Sequence, residues 1–142
     1  MTRSSAKGRT RPCSAADARK RLADAQKYYE VAELVASEAT FAPSVTVAAG
    51  LAVLAGIAAA DAACCAALGR SSRSYDHADA GKLLATVSPG GAQAARDFTR
   101  VIGVKDTAHY GFLHIAGADV KALLRRTSAL VSFAEQTVER HR

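Results

Sequence analysis

Residues 45–68, VTVAAGLAVLAGIAAADAACCAAL, decide the fold that we predict for this chain. The stretch is long enough to cross a bilayer, and Asp61 is its one formal charge. Nearly half of it is alanine, which gains little free energy from lipid, and no aromatic belt flanks it. A carboxylate inside a membrane span is also costly. We therefore predict a buried central helix in a protein that has no membrane partner.

The rest of the chain predicts further helices and no sheet. Its 142 residues suit one domain, and its 33 alanines favour helix over strand. The three prolines fall between segments of helical periodicity, where a residue that cannot continue a helix belongs. We predict an all-α, antiparallel four-to-five-helix up-and-down bundle forming a single domain over residues 15–142. Its helices are expected at about 15–38, 44–68, 76–87, 92–109 and 118–140.

Residues 1–14 differ in composition from the rest. They carry Arg3, Lys7, Arg9 and Arg11 and no acidic residue, which leaves 15 basic against 13 acidic side chains in the remainder. We interpret this segment as a flexible basic arm, because its small polar residues bury too little surface to fold. The arm serves solubility or makes weak contacts with phosphates. The nearly neutral body lacks the basic surface that is typical of a dedicated nucleic-acid binder.

The cysteines are Cys13, Cys64 and Cys65, and their spacing matches neither a disulfide framework nor a zinc site. Adjacent cysteines on a helix point about 100 degrees apart, so Cys64 and Cys65 cannot form half of a zinc site by themselves. No secretory hydrophobic segment precedes the first helix. We predict that the cysteines are small core residues in a reducing, cytoplasmic protein with no metal and no cofactor.

Two charged residues lie on seams that are otherwise apolar. Helical spacing places Asp61 in the series Val47, Leu51, Leu54, Ala58, Asp61, Cys65, Leu68, and Lys105 in the series Phe98, Ile102, Lys105, His109. We predict that both charges face inward and pair with each other, because a buried charge needs a partner. If consecutive helices alternate in direction, the ends of the second and fourth helices meet the start of the third. The predicted ligand site then contains Asp61, Arg70, Arg73, His77, Lys105, His109 and Tyr110. A purely structural ion pair explains the same pattern equally well.

Four stretches carry a resemblance to a known family: AAADAACCAALG at 58–69, DHADAGKLL at 76–84, KDTAHYG at 105–111 and IAGADVKALLRRTSALVSFAEQTV at 115–138. They resemble the HEPN (higher eukaryotes and prokaryotes nucleotide-binding) domains in their small bacterial form, over residues 15–140. The resemblance implies a helical bundle, frequent pairing of two copies, and roles in RNA-directed and toxin–antitoxin systems. Catalytic members place an arginine a few positions before a histidine on the fourth helix. Here Arg100 lies too far from His109 and Lys105 too close, so the resemblance does not imply nuclease activity.

Three functions remain open at this point. The one we prefer is an HEPN-like, non-catalytic module that binds a nucleotide, RNA, or a protein partner such as a nucleotidyltransferase or regulator. The alternative is a metal-independent ribonuclease, with His109 as proton acceptor and Lys105 or Arg70 stabilising the phosphorane charge. The third is a scaffolding homodimer that pairs through the apolar faces of its first and last helices. We expect a homodimer in the first case as well.

Overall fold

The computed structural model describes residues 9–38, 42–73, 77–104 and 115–142. Within them lie five helices and two short strands: β1 (Thr10–Pro12), α1 (Ala15–Ala36), α2 (Ala42–Leu68), β2 (Arg70–Ser72), α3 (His77–Ala85), α4 (Gly91–Ile102) and α5 (Gly117–Arg140). The predicted all-α helical bundle is confirmed. The pair of strands is an element that the sequence did not predict.

The helices α1 and α5 run in opposite directions along α2, since Tyr29 lies beside Ser128 and Gln26 beside Glu135. Arg21, near the start of α1, pairs with Asp61 near the end of α2, and Ser44 at the other end of α2 donates a hydrogen bond to Glu38. The helices α1 and α2 are therefore antiparallel. On α5, the hydroxyl of Thr127 donates to the carbonyl of Ala52, which fixes the level of α5 against the first half of α2.

The start of α1 and the end of α2 follow the sequence signals. Ser14 caps α1 reciprocally: its hydroxyl accepts from the Asp17 N–H at 3.0 Å, and its own N–H donates to the Asp17 carboxylate at 2.8 Å. Gly69 ends α2 with φ +71°, a conformation in which a β-carbon would be strained. Both boundaries were predicted from these residue types.

The buried face of α2 is its alanine face. Twelve residues between 48 and 63 on this helix are nearly or completely buried, nine of them alanines: Ala48, Ala49, Gly50, Ala52, Val53, Ala55, Gly56, Ala58, Ala59, Ala60, Ala62 and Ala63. The predicted inward-facing series is wrong for two of its large members, because Val47 is 52% exposed and Leu54 36% exposed, whereas Leu51 and Leu68 are partly buried against the core. The small side chains of this face let α1, α4 and α5 approach α2 closely.

Among the described residues, one helix is long and apolar enough to cross a membrane, Pro43–Leu68, with a mean hydropathy of 2.1. In this structure 61% of the apolar 18-residue stretch of this helix is buried inside the bundle. This burial is what a central core helix requires, and it agrees with the prediction for residues 45–68.

The N-terminal segment is tied to the bundle. The strands β1 and β2 pair antiparallel, with Thr10 opposite Ser72, Arg11 opposite Ser71 and Pro12 opposite Arg70. Directly after β1, Cys13 forms a disulfide with Cys65 of α2. The prediction of a flexible arm is therefore wrong for residues 9–14, while residues 1–8 lie outside the described part.

The disulfide also corrects the prediction for the cysteines. Cys64 is a buried free thiol in the core, as predicted, but Cys13 and Cys65 are covalently joined. The bond joins residues 52 positions apart in the sequence, so local cysteine spacing could not predict it. Structural disulfides are typical of proteins from oxidising compartments. The cytoplasmic location stays a prediction.

The helix α4 is shorter than predicted. It ends at Ile102, followed by Gly103 and Val104 in a turn, whereas we expected it to continue to about His109. Its last turn packs on the middle of α2: a β-carbon built on Gly56 would lie 3.0 Å from Val101 Cγ1. The described part of α4 therefore ends beside the middle of α2, away from Leu68.

Candidate anion-binding site

The partner of Asp61 is Arg21 of α1. Its Nη2 lies 2.9 Å and its Nε 3.2 Å from Oδ2 of Asp61, and its Nη1 lies 3.3 Å from Asp24. The side chain of Asp61 is 23% exposed and that of Arg21 32% exposed. We predicted a pair between Asp61 and Lys105, but Lys105 lies outside the described residues. The observed pair joins the first and second helices instead of the second and fourth.

Burial and neighbouring charges act on Asp61 in opposite directions. Burial raises the pKa of its carboxyl, whereas Arg21, Arg11 and His77 lower it, and the effect of burial is the larger. Burial and then the Asp61 carboxylate also raise the pKa of the Cys64 thiol to about 12, against the opposing charge of Arg70. These effects place Asp61 electrostatically close to Arg11, His77 and Cys64, and Arg70 close to Cys64.

Three arginines share one face of the strand pair. The register that sets Arg11 opposite Ser71 continues outward, since the N–H of Arg73 donates to the carbonyl of Arg9 at 3.2 Å. Alternate residues of a strand point to the same side, so Arg9, Arg11 and Arg73 lie on the face that also carries Ser71 and Cys13. Arg9 and Arg73 stand directly opposite each other, an arrangement that repels in the absence of a counter-ion.

This face borders a cleft of about 500 Å³ between the strand pair and the ends of α1 and α2. We call it the ribbon cleft; its lining is Arg11, Pro12, Cys13, Asp17, Lys20, Arg21, Asp61, Cys65 and Ser71. Its charged groups differ in how far they are already neutralised. Lys20 and Arg21 pair with carboxylates, and Asp17 is held by the cap of α1.

The arginines of the strand pair have no such partners. Arg9, Arg11, Arg70 and Arg73 are all exposed, and none of them forms an ion pair with a carboxylate among the described residues. Of these arginines, Arg11 lines the cleft, and Arg9 and Arg73 lie on the same face of the strand pair as Arg11. The ribbon cleft therefore presents positive charge that is available to an anion.

The structure describes four of the seven predicted ligand-site residues. Asp61, Arg70 and His77 influence one another or a shared neighbour electrostatically, and Arg73 joins them through the strand pair. His77 begins α3 and also meets Phe98 edge-on, with 6.4 Å between ring centroids. The remaining three predicted residues, Lys105, His109 and Tyr110, lie outside the described residues. Their place in the site stays a prediction.

Comparison of the chain with known proteins identifies no relative. No family model, no curated protein and no solved structure matches the chain. The likeness to HEPN domains rests on the sequence stretches alone and stays a prediction.

Several residues of the ribbon cleft were missed from the sequence. Arg21 carried a usable signal, because it lies within the Ala18–Ala25 seam that α1 buries. Arg9 and Arg11 were interpreted as part of a mobile segment, and strands of three residues give no periodicity that would have corrected this. In the part of the chain that the structure describes, no group of three or more His, Cys, Asp or Glu residues is placed to hold a metal ion.

Proposed function

We propose that this protein is a non-catalytic, HEPN-like binding module that holds a phosphate-bearing ligand, a nucleotide or RNA, in the ribbon cleft. The observation that carries the proposal is the set of arginines Arg9, Arg11 and Arg73 on one face, with no described carboxylate paired to them. A protein gains nothing in stability from exposed cations set opposite each other. A phosphate placed between them removes the repulsion.

Arginine suits this task for a geometric reason. Its planar guanidinium offers paired N–H donors that match two oxygens of one phosphate, whereas lysine acts as a point charge. The backbone of the strand pair and the adjacent Cys13–Cys65 bond hold Arg9 and Arg11 in place before a ligand arrives. Such preorganisation lowers the entropy that binding costs. The Asp61 carboxylate in the cleft is offset by Arg21, which limits its repulsion of an anion.

A thermal-shift panel of nucleotides and short RNA tests the proposal. A ligand at a hundred times its Kd stabilises the protein by about 2.7 kcal/mol, which corresponds to a Tm rise of about 10 °C for a domain of this size. The variant Arg9→Gln/Arg11→Gln/Arg73→Gln, called the ribbon variant, should lose this rise. A matched control removes three exposed cations elsewhere, Lys27→Gln/Lys82→Gln/Arg140→Gln, and should keep it. No rise for any phosphate ligand would refute the proposal.

The same RNA samples test the ribonuclease alternative. Of its proposed groups, His109 and Lys105 lie outside the described residues, so this alternative rests on the sequence alone. Cleavage products with 2′,3′-cyclic phosphate ends that His109→Ala abolishes would establish the enzyme. Intact RNA in the presence of saturating protein is the result that we expect.

The oligomeric state and the protein partner also stay proposals. For a homodimer, the exposed large apolar residues are Leu34 on α1 with Val47 and Leu54 on α2, whereas we had predicted pairing through the first and last helices. A protein partner such as a nucleotidyltransferase would dock at the ribbon cleft or on this apolar surface. Sedimentation of the purified chain decides its oligomeric state.

A further inference from the structure

A second cleft lies on the flank of the bundle, between α4 and α5. It has a volume of about 620 Å³, and its lining is Gln93, Arg96, Asp97, Thr99, Arg100 and Arg126. Arg96 and Arg100 are one turn apart on α4, so they project from the same side of that helix. Arg126 reaches the cleft from α5. We call this the flank cleft, and it shares no residue with the ribbon cleft.

The charges of the flank cleft are unbalanced. Three guanidinium groups face one carboxylate, Asp97, which lies 3.5 Å from Nε2 of Gln93. Arg96 donates to Oε1 of Gln93 at 2.7 Å, a neutral acceptor. None of Arg96, Arg100 and Arg126 forms an ion pair with a carboxylate of the described residues. Like charges one helical turn apart destabilise a helix, and an anion bound between them reverses the sign of this effect.

The two clefts lie at different heights along α2. Thr127, next to Arg126, bonds to Ala52, while the ribbon cleft is lined on α2 by Asp61 and Cys65. At 1.5 Å per residue, these positions are about 14 to 20 Å apart along the helix axis. The phosphates of one mononucleotide are linked directly to one another and do not span this distance, whereas the backbone of a strand of several nucleotides does.

We infer that the flank cleft is a second phosphate site, and that the ligand of this protein is a chain of phosphates, a single-stranded nucleic acid, rather than a mononucleotide. This inference rests on the proposed function of the ribbon cleft and names its ligand class. The clefts use separate arginines, so each one can be removed without touching the other.

The test measures binding of a fluorescein-labelled single strand of 20 or so nucleotides by anisotropy, as a function of salt. Each phosphate contact with a single strand contributes about 0.7 to the slope of log K against log salt. The variant Arg96→Gln/Arg100→Gln/Arg126→Gln should therefore lower the slope by about 2, and the affinity by about 100-fold at 0.1 M salt. The control variant with Lys27, Lys82 and Arg140 replaced should keep the wild-type slope. The corresponding arginine-to-lysine variant should retain most of the slope, which separates charge from folding defects.

The outcomes separate the two proposals. If the variant Arg96→Gln/Arg100→Gln/Arg126→Gln has the salt slope and affinity of the control variant while the ribbon variant loses binding, the second site is refuted and the proposed function stands. If wild type binds neither nucleotides nor strands, the proposed function fails. Strands of RNA and DNA with the same sequence, and inorganic polyphosphate as competitor, identify the source of the phosphates. Competition by polyphosphate at equal phosphate concentration would overturn the choice of nucleic acid, and a preference for either oligonucleotide supports it.

Discussion

Reduction of the disulfide between Cys13 and Cys65 is expected to lower the free energy of unfolding by about 4 kcal/mol. The bond closes a loop with a sequence separation of 52, and in the chain-entropy account such a loop restricts the unfolded chain by about 14 cal/mol/K. The native state should change locally as well. The strand pair has three residues on each side, which is too few to be stable without an anchor. Arg11 should therefore leave the ribbon cleft when the bond is cut, and Arg9 should lose its position opposite Arg73.

Urea unfolding with and without a phosphine reductant measures this loss. With a slope of about 2 kcal/mol per molar urea, the midpoint should fall by about 2 M. Cys13→Ala provides the matched control, because it should reproduce the reduced midpoint and then ignore the reductant. Thiol titration of the unfolded chain should find one reactive group before reduction and three after it. Equal midpoints for wild type under both conditions, with all three thiols already free, would refute the reasoning.

Three further predictions concern single residues. Gly91→Ala should destabilise the protein by about 3 kcal/mol, because its new methyl group would lie 2.5 Å from the Leu84 carbonyl oxygen, while Gly117→Ala meets nothing within 4 Å and should be neutral or stabilising in the same urea titration. The Cys64 thiol, whose pKa is raised to about 12 and which is buried, should resist iodoacetamide in native protein at neutral pH and react only on unfolding; alkylation of native protein at the rate of a free thiol would contradict this. Burial raises the pKa of Asp61 above 3.8, so the native state holds this proton more tightly than the unfolded chain, and the contribution of the carboxyl to stability falls as pH rises through its folded value. Asp61→Asn should therefore gain stability relative to wild type on going from acid to neutral pH, and a difference that is independent of pH would show that the shift is absent.

Local signals were sufficient for most of the helices. Ser14 with Asp17 marked the start of α1, and Gly69 marked the end of α2, because capping depends on residues within one turn. The apolar positions of α5 recur at helical spacing, and those buried in the structure include Val120, Leu123, Leu130, Val131, Ala134 and Val138. In an amphipathic helix, the spacing of apolar residues predicts which face is buried.

The orientation of α2 had no such signal. The helix is apolar on nearly every side, so periodicity could not tell the inner face from the outer one. We chose the large residues as the inner series, whereas the bundle buries the alanines and leaves Val47 and Leu54 outside. Close approach of helices favours small residues, and that preference appears only when the neighbouring helices are known.

The candidate site was predictable only in part, because local sequence signals identify some of its residues and give no information on contacts between distant ones. Asp61 stood out because it interrupts an apolar stretch, and Arg70 follows it at the helix end. The partner of Asp61 was missed although Arg21 lies on an apolar seam, the property that had selected Lys105. The pairing of β1 with β2 and the bond to Cys65 join distant parts of the chain, and local sequence patterns predict neither contact.

An NMR titration of the isotope-labelled protein with a phosphate-bearing ligand, first a mononucleotide and then a single strand, tests the central claim most directly. We expect the largest chemical-shift changes at the backbone amides of residues 9–11, 13 and 70–73 and at the side-chain Nε–H groups of the strand-pair arginines. Shift changes confined to the exposed apolar residues Leu34, Val47 and Leu54, or none at all with millimolar ligand, would contradict it.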